Sequence, residues 1–143
     1  MKIDIYCDGA SRGNPGLSSF GVIGLEHGKN ADLTQYKTGT LRPIFTIAES
    51  IGHATNNEAE YRGIIAALSK CIELQIRNPQ IYSDSELVVR QLTGIYKVKE
   101  PKMKALFTRA MDLIVQIRPH FAHIRREKNQ IADYLANQAL DNL

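Results

Sequence analysis

Four acidic residues stand where acids are out of place: Asp8, Glu60, Asp84 and Asp133. Glu60 lies in line with Ile64 and Leu68, at i, i+4 and i+8, so it tops the apolar stripe of a helix rather than its polar face. Asp133 precedes Ala136 by three residues and Leu140 by seven, and opens the apolar face of another helix in the same way. Asp8 ends an alternating run in which Ile3, Ile5 and Cys7 oppose Asp4, Tyr6 and Asp8; Asp84 follows the short run Ile81-Tyr82-Ser83. Each acid alone has an ordinary explanation. An acid in a first helical turn favours the helix dipole, and an Asp beside a Gly starts a turn. Converging, the four would repel one another, and without metal some would have to stay protonated. Divalent cations resolve the conflict, because Mg²⁺ prefers carboxylates and water and completes its shell with phosphate oxygens. Two ions about 3.5–4 Å apart can activate a water and stabilise a leaving oxygen. The chemistry in view is metal-assisted phosphodiester hydrolysis.

Several elements must position these acids. The alternation over residues 2–8 predicts a strand, and the turn-rich stretch Gly9 to Gly16 predicts a loop. Residues 19–25 and 44–48 read as second and third strands, and three strands so close together suggest an antiparallel meander. The polar segment 26–43 reads as a loop with some edge pairing. Ile64, Ile65, Leu68, Cys71 and Ile72 follow helical spacing, and Thr55 with Glu58 forms a capping box that starts this helix near Asn56. Gln80-Ile81-Tyr82 is a short strand; Ser83 with Glu86 reads as a second capping box, and Gly94 ends the helix it opens. A helix from about Lys102 to Gln116 stops before Pro119, Phe121 to Ile124 is a fifth strand, and a last helix runs from about Asn129 to the end. The order β-β-β-α-β-α-α-β-α implies an α/β fold with a mixed sheet covered by helices. If the strands of residues 2–8 and 81–84 are parallel neighbours, Asp8 and Asp84 share the sheet edge where ligand crevices form. Two helix beginnings would add Glu60 and Asp133 to that edge.

Four blocks carry a resemblance. Tyr6-Cys7-Asp8-Gly9-Ala10-Ser11-Arg12-Gly13-Asn14-Pro15-Gly16, then Thr55-Asn56-Asn57-Glu58-Ala59-Glu60-Tyr61, then Tyr82-Ser83-Asp84-Ser85, then Asn129-Gln130-Ile131-Ala132-Asp133-Tyr134-Leu135-Ala136 resemble, in order and spacing, the four catalytic motifs of type 1 ribonucleases H. The resemblance covers nearly the whole chain. It implies a ribonuclease H-like fold: a five-stranded mixed sheet, three strands antiparallel and then two parallel, flanked by helices. It implies that Asp8, Glu60, Asp84 and Asp133 are the catalytic, metal-binding acids. It implies an endonuclease that hydrolyses the RNA strand of RNA–DNA hybrids with two Mg²⁺ ions (Mn²⁺ as substitute), leaving 5′-phosphate and 3′-hydroxyl ends. It also gives roles to polar neighbours. Gly9, Ser11, Asn14, Asn56 and Asn57 match positions that contact the hybrid, and Thr55 one that holds a DNA-strand phosphate. The chemistry suits that task, since a 2′-hydroxyl donates and accepts hydrogen bonds, as do Asn amides and backbone groups in Gly-rich segments. A helix cap alone would also explain Thr55.

The chain departs from the common pattern in two places. Many members carry a histidine in the loop before the last acid; here that loop reads Ile124-Arg125-Arg126-Glu127-Lys128-Asn129. His123 falls inside the apparent fifth strand and reads as a strand residue. The Arg-Glu pair resembles a subgroup without the histidine, which leaves Arg126 or Glu127 as candidates for the auxiliary role. Other members carry a long basic protrusion with tryptophans. This chain has no Trp, and residues 94–104 are short, with Lys97, Lys99, Lys102 and Lys104.

The remaining features bound the answer. At 143 residues, a single ribonuclease H domain over 1–143 is expected. Hydrophobic residues at 43% and charged residues at 23% suit a soluble globular protein. No apolar run reaches bilayer length. The first apolar residues are interrupted by Asp4, a poor signal peptide, so a cytoplasmic monomer with no membrane partner is expected. The net charge of +3 tolerates a polyanion without requiring one. Cys7 and Cys71 sit in apolar patterns with no metal-ligand spacing and read as small buried hydrophobes. Three other readings remain. They are a catalytically silent hybrid-binding module of the same fold, a related-fold nuclease acting on DNA, and a domain of a larger reverse transcriptase.

Overall fold

The computed structural model describes residues 2–143. Strand β1 (Ile3–Gly13) runs antiparallel to β2 (Gly16–Glu26), and β2 runs antiparallel to β3 (Phe45–Ala54). A short helix α1 (Leu33–Lys37) sits between β2 and β3. After β3 come helix α2 (Asn56–Leu74), strand β4 (Gln80–Ser83), helices α3 (Glu86–Leu92) and α4 (Pro101–Ile117), strand β5 (His120–His123) and, past a single 3₁₀ turn, helix α5 (Gln130–Asp141). The sheet order is β3-β2-β1-β4-β5, with β1, β4 and β5 parallel. This is the five-stranded mixed sheet expected of a ribonuclease H-like fold.

Alternation in β1 sends Ile3, Ile5 and Cys7 to one face, where they pack with Ile64, Leu68 and Cys71 of α2 and Ala110 of α4. Cys7 and Cys71 are buried and unbridged, as expected. Strand β2 is covered on both faces: Phe20 and Val22 join this core, while Ile23 and Leu25 meet Ile131 and Leu135 of α5. A buried hydrogen bond of 2.6 Å from the Tyr61 hydroxyl to Gln91 Oε1 ties α2 to α3.

Three expectations need correction. Gly9 to Gly13 is strand, not loop; the hairpin turns only between Gly13 and Gly16, which face each other across the ladder. Small residues suggested a loop, but Gly9 instead lets helix α2 approach the strand closely. The 26–43 segment contains α1, whose N-cap Asp32 accepts a hydrogen bond from the Gln35 N–H at 2.9 Å. Asp32-x-x-Gln35 was a legible cap pair on a helix too short to show periodicity. The N-cap of α3 is Ser85, which accepts from the Val88 N–H, and not Ser83. The Ser83 hydroxyl instead accepts from the Ser85 N–H at 3.1 Å and turns toward Glu60.

Candidate active site

Parallel pairing of β1 with β4 places Cys7 opposite Ser83, so Asp8, the next residue of β1, and Asp84, the first residue past the end of β4, lie side by side. Glu60 joins them because α2 crosses close over β1. Gly9 makes that crossing possible: a Cβ there would lie 2.6 Å from the Glu60 nitrogen. The Gly9 N–H donates to Glu60 Oε1 at 2.9 Å, and the Ser83 hydroxyl to Oε2 at 3.4 Å. One carboxylate oxygen from each of Asp8, Glu60 and Asp84 lies within 4.8 Å of the others.

Asp133 arrives from the other face. Helix α5 packs against β2 at Gly21, where a Cβ would lie 2.3 Å from the Ala132 carbonyl oxygen. This close approach brings the first turn of α5 to the sheet edge, and Asp133 lines the same open cleft of about 400 Å³ as the other three acids. Asn137, one turn on, donates to the Asp133 carboxylate at 3.2 Å and to its carbonyl at 3.0 Å.

The electrostatics follow from burial and crowding. Asp8 and Glu60 are only 5% and 8% exposed. Burial pushes the Asp8 carboxyl far above the ordinary carboxylate range, and the negative charges of Glu60, Asp84 and Asp133 push it further. Burial also raises Glu60, opposed by hydrogen bonds from Asp8 and from the Gly9 N–H. Three converging carboxylates, two of them forced toward the neutral form, are a donor set that a hard divalent cation fits. Asp8, Glu60 and Asp84 can hold such an ion together, with Asp133 beside them.

The other predicted residues divide. Gly9, Ser11, Asn56 and Asn57 line the same cleft, and so does Arg126. Asn14 and Thr55 line an adjoining hollow with Asn57 and Lys102. Asn14 Oδ1 accepts from the Asn56 N–H at 3.0 Å, linking the β1–β2 turn to the start of α2. Thr55 caps α2 through the Glu58 N–H at 3.2 Å. The Ser11 hydroxyl is held internally, by the Gly13 carbonyl and by a 2.9 Å bond from Ser18. Glu127 is not brought to the acids; it faces a separate hollow with Tyr6, Tyr82 and Lys128. His123 is the exposed last residue of β5, as expected. Sequence reasoning missed Asn137, although its i+4 spacing from Asp133 was legible, and Asn129, whose burial nothing in its polar surroundings announces.

The family model described as reverse transcriptase-like matches residues 6–139. The chain is 38% identical over 142 residues to a bifunctional protein of Mycobacterium tuberculosis, a match covering 99% of this chain and 36% of that protein. It thus spans about a third of that relative's length. Its fold superposes on the crystal structure of RNase H1 from the archaeon Halobacterium salinarum with a TM-score of 0.87, 33% identity and complete coverage of both chains. LC11-RNase H1, isolated from compost and crystallised in complex with an RNA/DNA hybrid, matches with a TM-score of 0.84 and 36% identity over 98% of this chain and 97% of that one. Matched along nearly its whole length and bearing these acids on this sheet edge, the chain belongs to the ribonuclease H family, in its ribonuclease HI-like branch.

Proposed function

We propose that this protein is an endonuclease that hydrolyses the RNA strand of RNA–DNA hybrids with divalent metal ions, Mg²⁺ or, in its place, Mn²⁺. The observation that carries this reading is the meeting of Asp8, Glu60 and Asp84 oxygens within 4.8 Å, in a cleft that Asp133 also lines. Two ions bound there would supply an activated water and charge stabilisation for the leaving 3′ oxygen, giving 5′-phosphate and 3′-hydroxyl ends.

The chain's own residues do the rest. Asp8, Glu60, Asp84 and Asp133 would hold the ions. The exposed side chains of Asn56 and Asn57, at the open start of α2, offer donors and acceptors to 2′-hydroxyls. Asn14 and Thr55 border a second hollow, where the cap of α2 and Lys102 suit a phosphate of the DNA strand. Arg126 reaches the cleft and Glu127 does not, so we assign the auxiliary role to Arg126, in the subgroup whose loop reads Arg-Glu.

The test is cleavage of an end-labelled hybrid with and without Mg²⁺, beside single-stranded RNA, RNA duplex and DNA duplex. Metal-dependent cutting of the RNA strand in the hybrid alone supports the reading. Binding without cutting in Mg²⁺ and Mn²⁺ would instead make the protein a silent hybrid-binding module, and equal cutting of the DNA duplex a DNA nuclease.

A further inference from the structure

Asn129 occupies the N-cap position of α5 and does not cap it. An Asn there ordinarily turns its side-chain oxygen onto the N–H groups of the first turn. Here the side chain points the other way. Its Nδ2 donates at 2.8 Å to the carbonyl of Cys7, across 122 residues of sequence, and its Oδ1 is buried with no partner. The residue is 1% exposed, in a loop whose neighbours Lys128 and Gln130 are exposed. Leaving a buried amide oxygen without a protein partner is costly, and so is giving up a helix cap. Both sacrifices secure the one bond to β1.

That bond lies between two of the acids. The Cys7 carbonyl belongs to the peptide that joins Cys7 to Asp8. The Asn129 carbonyl accepts the Asp133 N–H at 3.1 Å. One residue therefore grips the backbone beside Asp8 with its side chain and the backbone of Asp133 with its main chain. We propose that Asn129 is a positioning residue that sets the distance between Asp8 and Asp133 and so the metal affinity of the cleft. The proposal rests on the reading of the four acids as metal ligands, but not on what nucleic acid they act upon.

The test is Mn²⁺ titration of the free protein by calorimetry, with thermal unfolding of the metal-free protein measured alongside. Three single variants, Asn129→Ala, Asn129→Ser and Asp133→Asn, are compared with the double variant that combines Asn129→Ser with Asp133→Asn. Serine is a strong helix cap but too short to reach the Cys7 carbonyl. Asn129→Ser should therefore unfold close to the wild type while binding Mn²⁺ at least about tenfold more weakly, as Asn129→Ala does. In the Asp133→Asn background, adding Asn129→Ser should cost no further affinity, because the residue acts through Asp133. If Asn129→Ser binds Mn²⁺ like the wild type, or if its loss persists undiminished without the Asp133 carboxylate, the proposal is overturned. A wild type that binds Mn²⁺ yet cuts no hybrid would defeat the proposed substrate while leaving this inference standing on the titration.

Discussion

Cys7 and Ser83 face each other in parallel register, and this single pairing delivers Asp8 and Asp84 to one point at the sheet edge. Because the strands fix the two carboxylates, removing either charge should disable metal binding without disturbing the fold. Asp8→Asn and Asp84→Asn should each abolish hybrid cleavage while leaving hybrid affinity within a few-fold of the wild type in a gel-shift assay. A variant that still cuts at a measurable fraction of the wild-type rate would remove that acid from the mechanism.

Glu60 and Asp133 depend instead on helices lying close to the sheet, and two glycines set that closeness. A methyl at Gly9 would press on the backbone of α2 beside Glu60, and one at Gly21 on the backbone of α5 beside Asp133. Neither neighbour is a flexible side-chain end, so relief requires moving a helix. Gly9→Ala and Gly21→Ala should each cost about 1–3 kcal/mol in denaturant unfolding. Each should also weaken Mn²⁺ binding, because the displaced helix carries an acid. Unchanged stability in both would mean that the helices do not rest on these glycines.

How much of this was legible follows from the range of each signal. The apolar stripes placed Glu60 and Asp133 on inward faces, because periodicity reports burial directly; the meeting of Asp8 and Asp84 was legible only on the condition that their two strands pair in parallel, which the sheet supplies. Close approach left no such mark. Gly9 to Gly13 looked like loop because small residues serve turns and tight packing equally, and only the covering helix decides between them. Asn129 was invisible for a related reason. Its partner, the Cys7 carbonyl, is a backbone atom 122 residues away, and no side-chain pattern announces it. Ser83 and Ser85 could each have capped α3; the hydroxyl of Ser83 was claimed by Glu60, a contact between distant parts of the chain.

The segment between α3 and α4 has no Trp, and its lysines Lys97 and Lys99 are exposed, as are Lys102 and Lys104 in the first turn of α4. Lys102 is partly engaged, 3.6 Å from Glu58. If these lysines hold phosphates of the hybrid, each one removed should flatten the plot of log affinity against log salt by about 0.7–0.9. Lys97→Ala and Lys99→Ala together should raise KM for the hybrid and leave kcat nearly unchanged, since neither residue lines the cleft of the acids. The check is the salt dependence of hybrid binding measured for wild type and double variant. Parallel slopes would take these residues off the binding surface.

The crowding of Asp8 and Glu60 has a consequence for stability. Burial holds both carboxyls above the ordinary range of about 4 when no metal is bound. A group whose folded pKa is raised gives its full stability below the unfolded value and loses it as pH climbs toward the folded value. The metal-free protein should therefore lose stability as pH rises from about 4 through neutrality. Mn²⁺ or Mg²⁺ should reverse the trend by taking the place of the protons, and more strongly at higher pH. Asp8→Asn removes one of the crowded charges and should stabilise the metal-free protein near pH 8 by about 1–3 kcal/mol while removing its response to metal. Thermal unfolding across this range, with chelator and with Mg²⁺, measures all three effects. A metal-free wild type that becomes more stable with rising pH, or an Asp8→Asn variant less stable than wild type at pH 8, would show that the acids are not forced together as the geometry requires.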